Sequence, residues 1–324
     1  MRNKIGALIS ISAGVVFTLI LVLKLDIAKI KDALLKTEFI YLPLIVLFTL
    51  FAYAIRAVRL KFILKELNPL SFRSSYVNIH TGNFYNHILP AKAGEIFRIY
   101  HLNNIGISKS ASVGVLLAER SFDVISMIFL FVLNSFLFKK SFRLDVVKST
   151  VFVALFIILL AILVLSYFRK ELLIKTAGKF LFFLNTKAKN RIKNIIEKFS
   201  YGLHILKNPS YILICLGLSF GVILIFSVPV YLSGKSLISG YGYLESYYVL
   251  AYILFSFLLP SPPGNIGAFE YFFVLALTHL GYKSAESSFA AALIFHLSQY
   301  IAAVGLGFFI VPSFLFKKKK VTNA

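Results

Sequence analysis

Two stretches decide how this chain is built: His87-Ile88-Leu89-Pro90-Ala91-Lys92-Ala93-Gly94-Glu95 and Phe257-Leu258-Leu259-Pro260-Ser261-Pro262-Pro263-Gly264, with Gly267 and Glu270 shortly after the second. Each interrupts an apolar segment. Proline cannot donate to the helical ladder and glycine permits the tight turn that follows. The first is Tyr76–Leu89, the turn Pro90–Gly94, then Glu95–Leu102; its arms are too short to cross a bilayer. The second is Tyr243–Leu259, then Pro260–Gly267, then Ala268–Leu280, and its longer arms leave both re-entry and a full crossing open.

The rest of the chain explains why such breaks matter. Of 324 residues, 59% are hydrophobic, and the mean hydropathy is +0.83. A soluble domain keeps more polar surface than that. Six segments reach the roughly 20 apolar residues a spanning helix needs: Ile5–Leu23, Phe39–Ala57, Ser110–Phe138, Thr150–Phe168, Tyr211–Ser233 and Ser287–Phe316. The fold class is therefore all-α: a polytopic membrane protein with about six spanning helices and two re-entrant hairpins. Met1–Lys4 followed by Ile5–Leu23 has the charge pattern of a signal peptide, but the apolar run is too long and lacks a small-residue cleavage site, so it reads as a retained span.

Lys and Arg number 35 against 13 Asp and Glu, giving a net charge of +22. The cations fall in short runs between apolar segments and not on one basic face, which argues for membrane topology and against nucleic acid. Met1–Lys4, Arg56–Arg73, Arg169–Lys207 and Lys317–Lys320 are the basic loops, expected in the cytoplasm of a multi-pass cell-membrane protein with both termini inside; Lys24–Glu38 falls outside. All of them land on one side only if both broken segments re-enter or both cross. The count also exposes an order of helix, helix, hairpin, helix that occurs twice with opposite orientation. One transmembrane domain over 1–324 is thus expected, with repeat A at 1–138 and repeat B at 150–316. Paired broken helices in an inverted repeat point to a transport site at the bilayer midplane. Residues 170–207 carry apolar positions at helical spacing among lysines and read as amphipathic helices on the membrane.

Ionisable groups at membrane depth are costly, about 2.5–3.5 kcal/mol each on insertion scales, and are candidates for function. Glu95 and Arg98 share one helical face, as do Glu119 and Asp123, with Arg120 beside them; Arg98 or Arg120 can pair with these acids. A structural ion-pair network explains them as well as a functional one does. Glu270 follows the second tip, where one acid can carry a proton or simply brace the turn. His80, Asn83 and His87 form a polar stripe that reads as the lining of a cavity shared with His296 and Gln299. Metal binding needs a third ligand that no motif spacing supplies, so no metal site, cofactor or catalytic residue is assigned. The single cysteine, Cys215, reads as a core residue, and the 34 Phe and 17 Tyr as lipid-facing and interfacial packing.

At these residues the sequence resembles the lysylphosphatidylglycerol synthase transmembrane (flippase-like) domain family. The resemblance rests on Gly82–Pro90 running into Gly94-Glu95-Ile96-Phe97-Arg98, on Gly106-Ile107-Ser108 and on Glu119-Arg120-Ser121-Phe122-Asp123. It continues at Pro263-Gly264-Asn265-Ile266-Gly267-Ala268-Phe269-Glu270 and Gly281, and Arg56-Ala57-Val58-Arg59 is similar to the end of the family's second helix. It implies movement of a lipid headgroup between leaflets, and a standalone member without the synthase that larger members carry. Two positions depart from the family: Asn265, where a second glycine is frequent, and His296, near which an arginine is common. The expectation is a flippase or scramblase for an anionic phospholipid or a lipid-linked (polyprenyl or glycolipid) headgroup. Its site would use Arg56, Asn83, His87, Pro90, Lys92, Gly94, Glu95, Arg98, Glu119, Arg120, Asp123, Pro262, Pro263, Gly264, Gly267, Glu270 and His296. The alternatives are an enzyme or accessory subunit acting on a polyprenyl-phosphate or glycolipid, with His80, Asn83, His87 and Glu95 as acid–base groups, and a scaffold working through Lys170–Lys207. The expected partners are membrane lipids and not nucleic acid. Association with a lipid-biosynthesis enzyme or with a second copy stays open.

Overall fold

The computed structural model describes residues 25–138, 200–257 and 262–311, with scattered positions at 12–23 and 190–197. Every described element is helical. The expected span at 150–168, most of the amphipathic stretch 170–207, and Leu258 to Ser261 of the second tip lie outside the described residues, as does about half of 5–23.

Helix α1 (Ile27–Leu35) starts at Asp26, whose carboxylate accepts from the Ala28 and Lys29 amides. It was not expected, since Lys24–Glu38 reads as a loop by its charge. Then come α2 (Tyr41–Leu64), α3 (Phe72–Ile88), α4 (Gly94–Asn104) and α5 (Lys109–Leu137). After the undescribed segment the chain forms α6 (Pro209–Lys235), α7 (Tyr243–Ser256), α8 (Ala268–His279) and α9 (Ala285–Tyr300). Helix α9 continues through a π-turn at Ile301–Gly305 to Ile310. Among the described residues, three helices are long and apolar enough to cross a membrane: Tyr41–Leu64, Pro209–Lys235 and Ala285–Ile310. Their outer faces expose Leu47, Phe51, Leu213, Leu224 and Phe309, an apolar skin that lipid, not water, would solvate.

The central pair is α2 and α6, which run antiparallel. Phe62 meets Tyr211, and Arg59 donates to Ser219 at 2.6 Å. One end of the bundle gathers Asn68, whose amide donates to the Ile105 carbonyl, and Glu66 beside His204 and Asn208. The opposite end gathers Tyr282, which donates to the Gly240 carbonyl, and Asn134 of α5, which donates to that of Tyr247. Helices α5 and α9 therefore start at opposite ends. Two apolar clusters fill the interior. One joins α7, α8 and α9 through Tyr248, Phe269, Phe273 and Phe295; the other joins α2 and α5 to residues 203–205 through Leu60, Leu64 and Val115. Phe226 touches both.

The two broken segments are built alike. Helix α3 ends at Ile88 because Leu89, preceding Pro90, is extended (φ −111°, ψ 145°). Ala91 and Lys92 take positive φ (58° and 52°), and α4 returns antiparallel along α3. The return is close because Gly94 lies against the Gly82 carbonyl, leaving no room for a side chain, and its amide donates to Asn86 at 2.8 Å. In the second segment α8 returns along α7 after a 3₁₀ turn at Pro263–Asn265, with Gly264 and Gly267 both at positive φ (65° and 84°). Each returning helix closes through a left-handed glycine, Gly106 or Gly281, with the next amide reaching back five residues, Ile107 to Leu102 and Tyr282 to Leu277. A serine cap, Ser108 or Ser284, then opens the following helix.

Replacing Gly94 by alanine drives a methyl into the Gly82 carbonyl and should cost about 1–3 kcal/mol, the usual range for overpacking. Gly221 of α6 has open space beside it, so Gly221→Ala should be neutral or slightly stabilising. Thermal unfolding of the two purified variants in one detergent measures the contrast.

Candidate functional site

Helix α2 does not end at Ala57. It continues to Leu64, so Arg56 and Arg59 stand inside the bundle and not in a cytoplasmic loop, which corrects the expectation for Arg56–Arg73. The reason is neutralisation: α5 presents Glu119 and Asp123 to them, so these charges need not leave the apolar body. Arg59 lies 2.7 Å from Asp123 and 3.8 Å from Glu119, and Arg56 lies 3.8 Å from Asp123. From the hairpin side, Arg98 of α4 bonds Glu119 and lies 3.4 Å from Glu95. Arg120 bonds Glu95 and sits 3.0 Å from Asp123.

Seven charged side chains on three helices thus form one network. It holds the cations Arg56, Arg59, Arg98 and Arg120 against the anions Glu95, Glu119 and Asp123. The inner part is sealed: Arg59 and Glu119 are fully buried and Arg98 almost so. The outer part opens, with Arg120 43% exposed and Glu95 and Asp123 partly exposed. Asn78 supports the inner part by accepting from Arg98 Nε at 2.9 Å, and Gly82 leaves room for the Arg98 stem. Cys215 is buried with its sulfur near the Arg59 carbonyl, a core residue as its setting in an apolar run suggests.

The two tips touch. Lys92, at the first tip, donates to the carbonyl of Phe257 where α7 ends. His87 packs edge-on against Tyr300 of α9 at 4.9 Å between ring centres, and Tyr300 donates to the Pro263 carbonyl. His296 spans the second tip. One ring nitrogen meets Glu270, and the other meets the Gly264 carbonyl at 2.8 Å. Glu270 also accepts from the Gly267 amide at 2.7 Å, closing a cap on α8. Pro262 abuts Gly14, where a side chain would collide with its ring.

The hairpins place their acids equivalently. Glu95 and Glu270 sit in the first turns of α4 and α8, where the positive helix end favours a carboxylate. Their partners, Arg120 and His296, each lie eleven residues into α5 and α9. At about 1.5 Å per residue each is some 16 Å from its own end of the bundle. The contacts between tips therefore sit near mid-height.

The polar stripe of α3 does not act as one surface. His80 is buried between the rings of Tyr53 and Tyr76, facing α2. His87 turns instead to Tyr300 and bonds the Asn83 carbonyl, while the Asn83 amide nitrogen is buried without a protein partner. Gln299 donates to Thr49 and braces α9 against α2. Sequence reading missed Arg59, Ser219, Asn78 and Tyr300. Arg59 was legible, since it follows Arg56 at the i+3 spacing of one helical face. Tyr300 carried no signal apart from the other sixteen tyrosines.

A family model described as the lysylphosphatidylglycerol synthase TM region matches residues 5–307. A UPF0104 membrane protein of Methanocaldococcus jannaschii is 29% identical over 247 residues, which cover 73% of this chain and 98% of that protein. No solved structure matches the chain.

Removing Glu119 would leave Arg59 and Arg98 facing each other in a sealed interior. Glu119→Ala should therefore destabilise the fold by about 3–5 kcal/mol, as breaking a buried pair does. Lys92→Ala, which loses one bond at an exposed tip, should cost only about 0.5–1.5 kcal/mol. Denaturant titration in mixed micelles separates the two.

Proposed function

The chain belongs to the lysylphosphatidylglycerol synthase TM region family, and on that premise we propose that it carries the headgroup of an anionic lipid across the bilayer between its two hairpin tips. The acyl chains stay in the surrounding lipid. The observation that carries this reading is the charge imbalance of the arginine network. Four arginines face three carboxylates, the surplus lies toward the open side at Arg120, and Lys92 stands at the adjoining tip. A buried cluster with one cation too many is completed by an anion. Arginine suits phosphate in particular, because its planar fork can donate two parallel bonds.

The hairpins explain how such a group could sit at the midplane. Their unpaired backbone groups must face protein or a polar ligand, never lipid. The amino ends of α4 and α8 meet the tips and add partial positive charge where the headgroup would pass. The equivalent construction of the two hairpins supports an inverted repeat, repeat A within 1–138 and repeat B within 150–316, in which the tips exchange access between leaflets.

Charge at the bundle ends orients the protein. One end carries Lys61, Lys65, Arg73, Lys109 and Lys207, with Glu66 beside them. At the other, Lys29, Lys31, Lys36, Lys235 and Lys283 are balanced by Asp26, Asp32, Glu38, Glu245 and Glu286. The basic end belongs in the cytoplasm of a cell-membrane protein, with both termini on that side. The protein works without covalent chemistry in this reading, on phospholipid or lipid-linked saccharide delivered by a biosynthetic enzyme.

Purified protein in liposomes should bring a fluorescent phosphatidylglycerol headgroup within reach of a membrane-impermeant quencher faster than empty liposomes do. Lys92→Gln with Arg120→Gln should slow that step by roughly tenfold or more, the worth of one lost charge-assisted bond. If no anionic phospholipid, polyprenyl phosphate or glycolipid moves faster than in protein-free vesicles, the reading fails.

A further inference from the structure

The two hairpins use the same geometry with different chemistry, and the difference lies in the cation. In the first, Glu95 meets Arg120, a group that never gives up its proton. In the second, Glu270 meets His296, which can. Counting donors and acceptors fixes how many protons this second pair holds. The Gly264 carbonyl can only accept, so the ring nitrogen facing it, Nε2, carries a hydrogen. The other nitrogen, Nδ1, faces Glu270 Oε1 directly. A bare lone pair against an ionised carboxylate would repel, so a proton must lie between them, on the ring or on the acid. The second oxygen of Glu270 is already occupied by the Gly267 amide.

We infer that Glu270 and His296 form a proton-binding site that couples movement of the second tip, and so of the headgroup, to a proton gradient; this rests on the transport reading above. With its proton the pair is neutral overall, and both side chains are about 95% buried, which suits a neutral unit. Loss of the proton leaves one uncompensated negative charge in that setting and turns the contact at Nδ1 repulsive. His296 is also the clasp that holds the Gly264 carbonyl. Gly264 and Gly267, both left-handed, flank the clasp and supply the freedom for the turn to swing. Proton bound, the tip is held against α9; proton released to water on the side then open, the tip is let go. The π-turn starting at Ile301, one residue past Tyr300, gives α9 a local irregularity at the same height.

The titratable groups facing the pair from neighbouring elements are His87 of α3 and Tyr300 of α9 itself. Neither bonds it: His87 is held by the Asn83 carbonyl and Tyr300 by that of Pro263. Phe269 of α8 packs on the His296 ring. The arginine network belongs to the other hairpin. The proton is therefore exchanged within this pair alone.

The test uses the full chain in liposomes containing fluorescent phosphatidylglycerol and a luminal pH dye. One proton per headgroup predicts that a pH difference of one unit shifts the steady-state leaflet ratio of the probe up to about tenfold. His296→Arg, which makes the second pair as permanent as the first, should abolish that shift and the accompanying luminal pH change. Wild-type protein that equilibrates the probe but shows no shift under a gradient overturns the coupling and leaves the transport reading standing. Should the probe not move at all, transport itself fails, and spectroscopy judges the site independently. Wild type should show either a doubly protonated His296 by nitrogen NMR or a protonated Glu270 carboxyl by infrared, lost in one step on titration and absent from Glu270→Gln. An ionised Glu270 beside a neutral His296 throughout pH 5 to 8 refutes the site.

Discussion

The structure depends on keeping charge neutralised where water is excluded. Glu119 is the keystone: it bonds Arg98 of the first hairpin and approaches Arg59 of α2, and all three are buried. Arg59 in turn reaches Ser219 of α6. One acid thereby ties together the long central pair, the first hairpin and the helix that follows it. In hydrocarbon each of these charges would be too costly alone. Once assembled, none can leave without stranding another, so the network fixes which helices are neighbours. Apolar packing between lipid-facing helices is a poor guide to partner choice, because lipid tails compete for the same contacts. Polar closure supplies the specificity here.

Both hairpins solve a second problem, that of stopping a helix inside an apolar body. A broken helix exposes backbone groups that nothing in lipid can satisfy. At the first tip Asn86 takes the Gly94 amide, and Lys92 covers the Phe257 carbonyl across the gap. At the second, Glu270 takes the Gly267 amide and His296 covers Gly264. The first tip is satisfied by its own segment and reaches across to the end of α7, while the second is satisfied by its own acid and by His296 of α9. Neither can shift without the other losing a partner. A bond from Lys92 thus ties the tips together although 170 residues of chain separate Lys92 from Pro262.

Much of this was legible in the sequence because proline and glycine act locally. Leu89-Pro90 and Pro262-Pro263-Gly264 announce their turns without reference to the rest of the chain, and the spacing of Glu95 with Arg98 and of Arg120 with Asp123 follows from helical periodicity alone. Helix boundaries were less legible where charge entered the pattern. Arg56–Arg73 reads as a basic loop because nothing nearby neutralises it; the acids that allow α2 to continue lie some sixty residues later. The same rule hid α1, whose Lys29, Lys31 and Asp32 read as loop although Asp26 caps a short helix. Which way His80 and His87 turn was not legible at all. They share one helix face by spacing, yet Tyr53 and Tyr300, from opposite parts of the chain, draw them to different neighbours.

The remaining question is why the equivalent positions carry different cations. Two permanent pairs would hold both tips with equal firmness and leave neither responsive to a proton. Two histidines would leave the first hairpin, already burdened with Glu119 and Asp123, without the fixed positive charge that neutralises them. The first hairpin needs Arg120 because it serves two acids at once, Glu95 and Asp123, which also pair with Arg98 and Arg59. The second has one acid to satisfy, so a weaker and reversible base suffices. Placing the reversible pair where the charge load is smallest lets one tip move while the network around the other stays assembled.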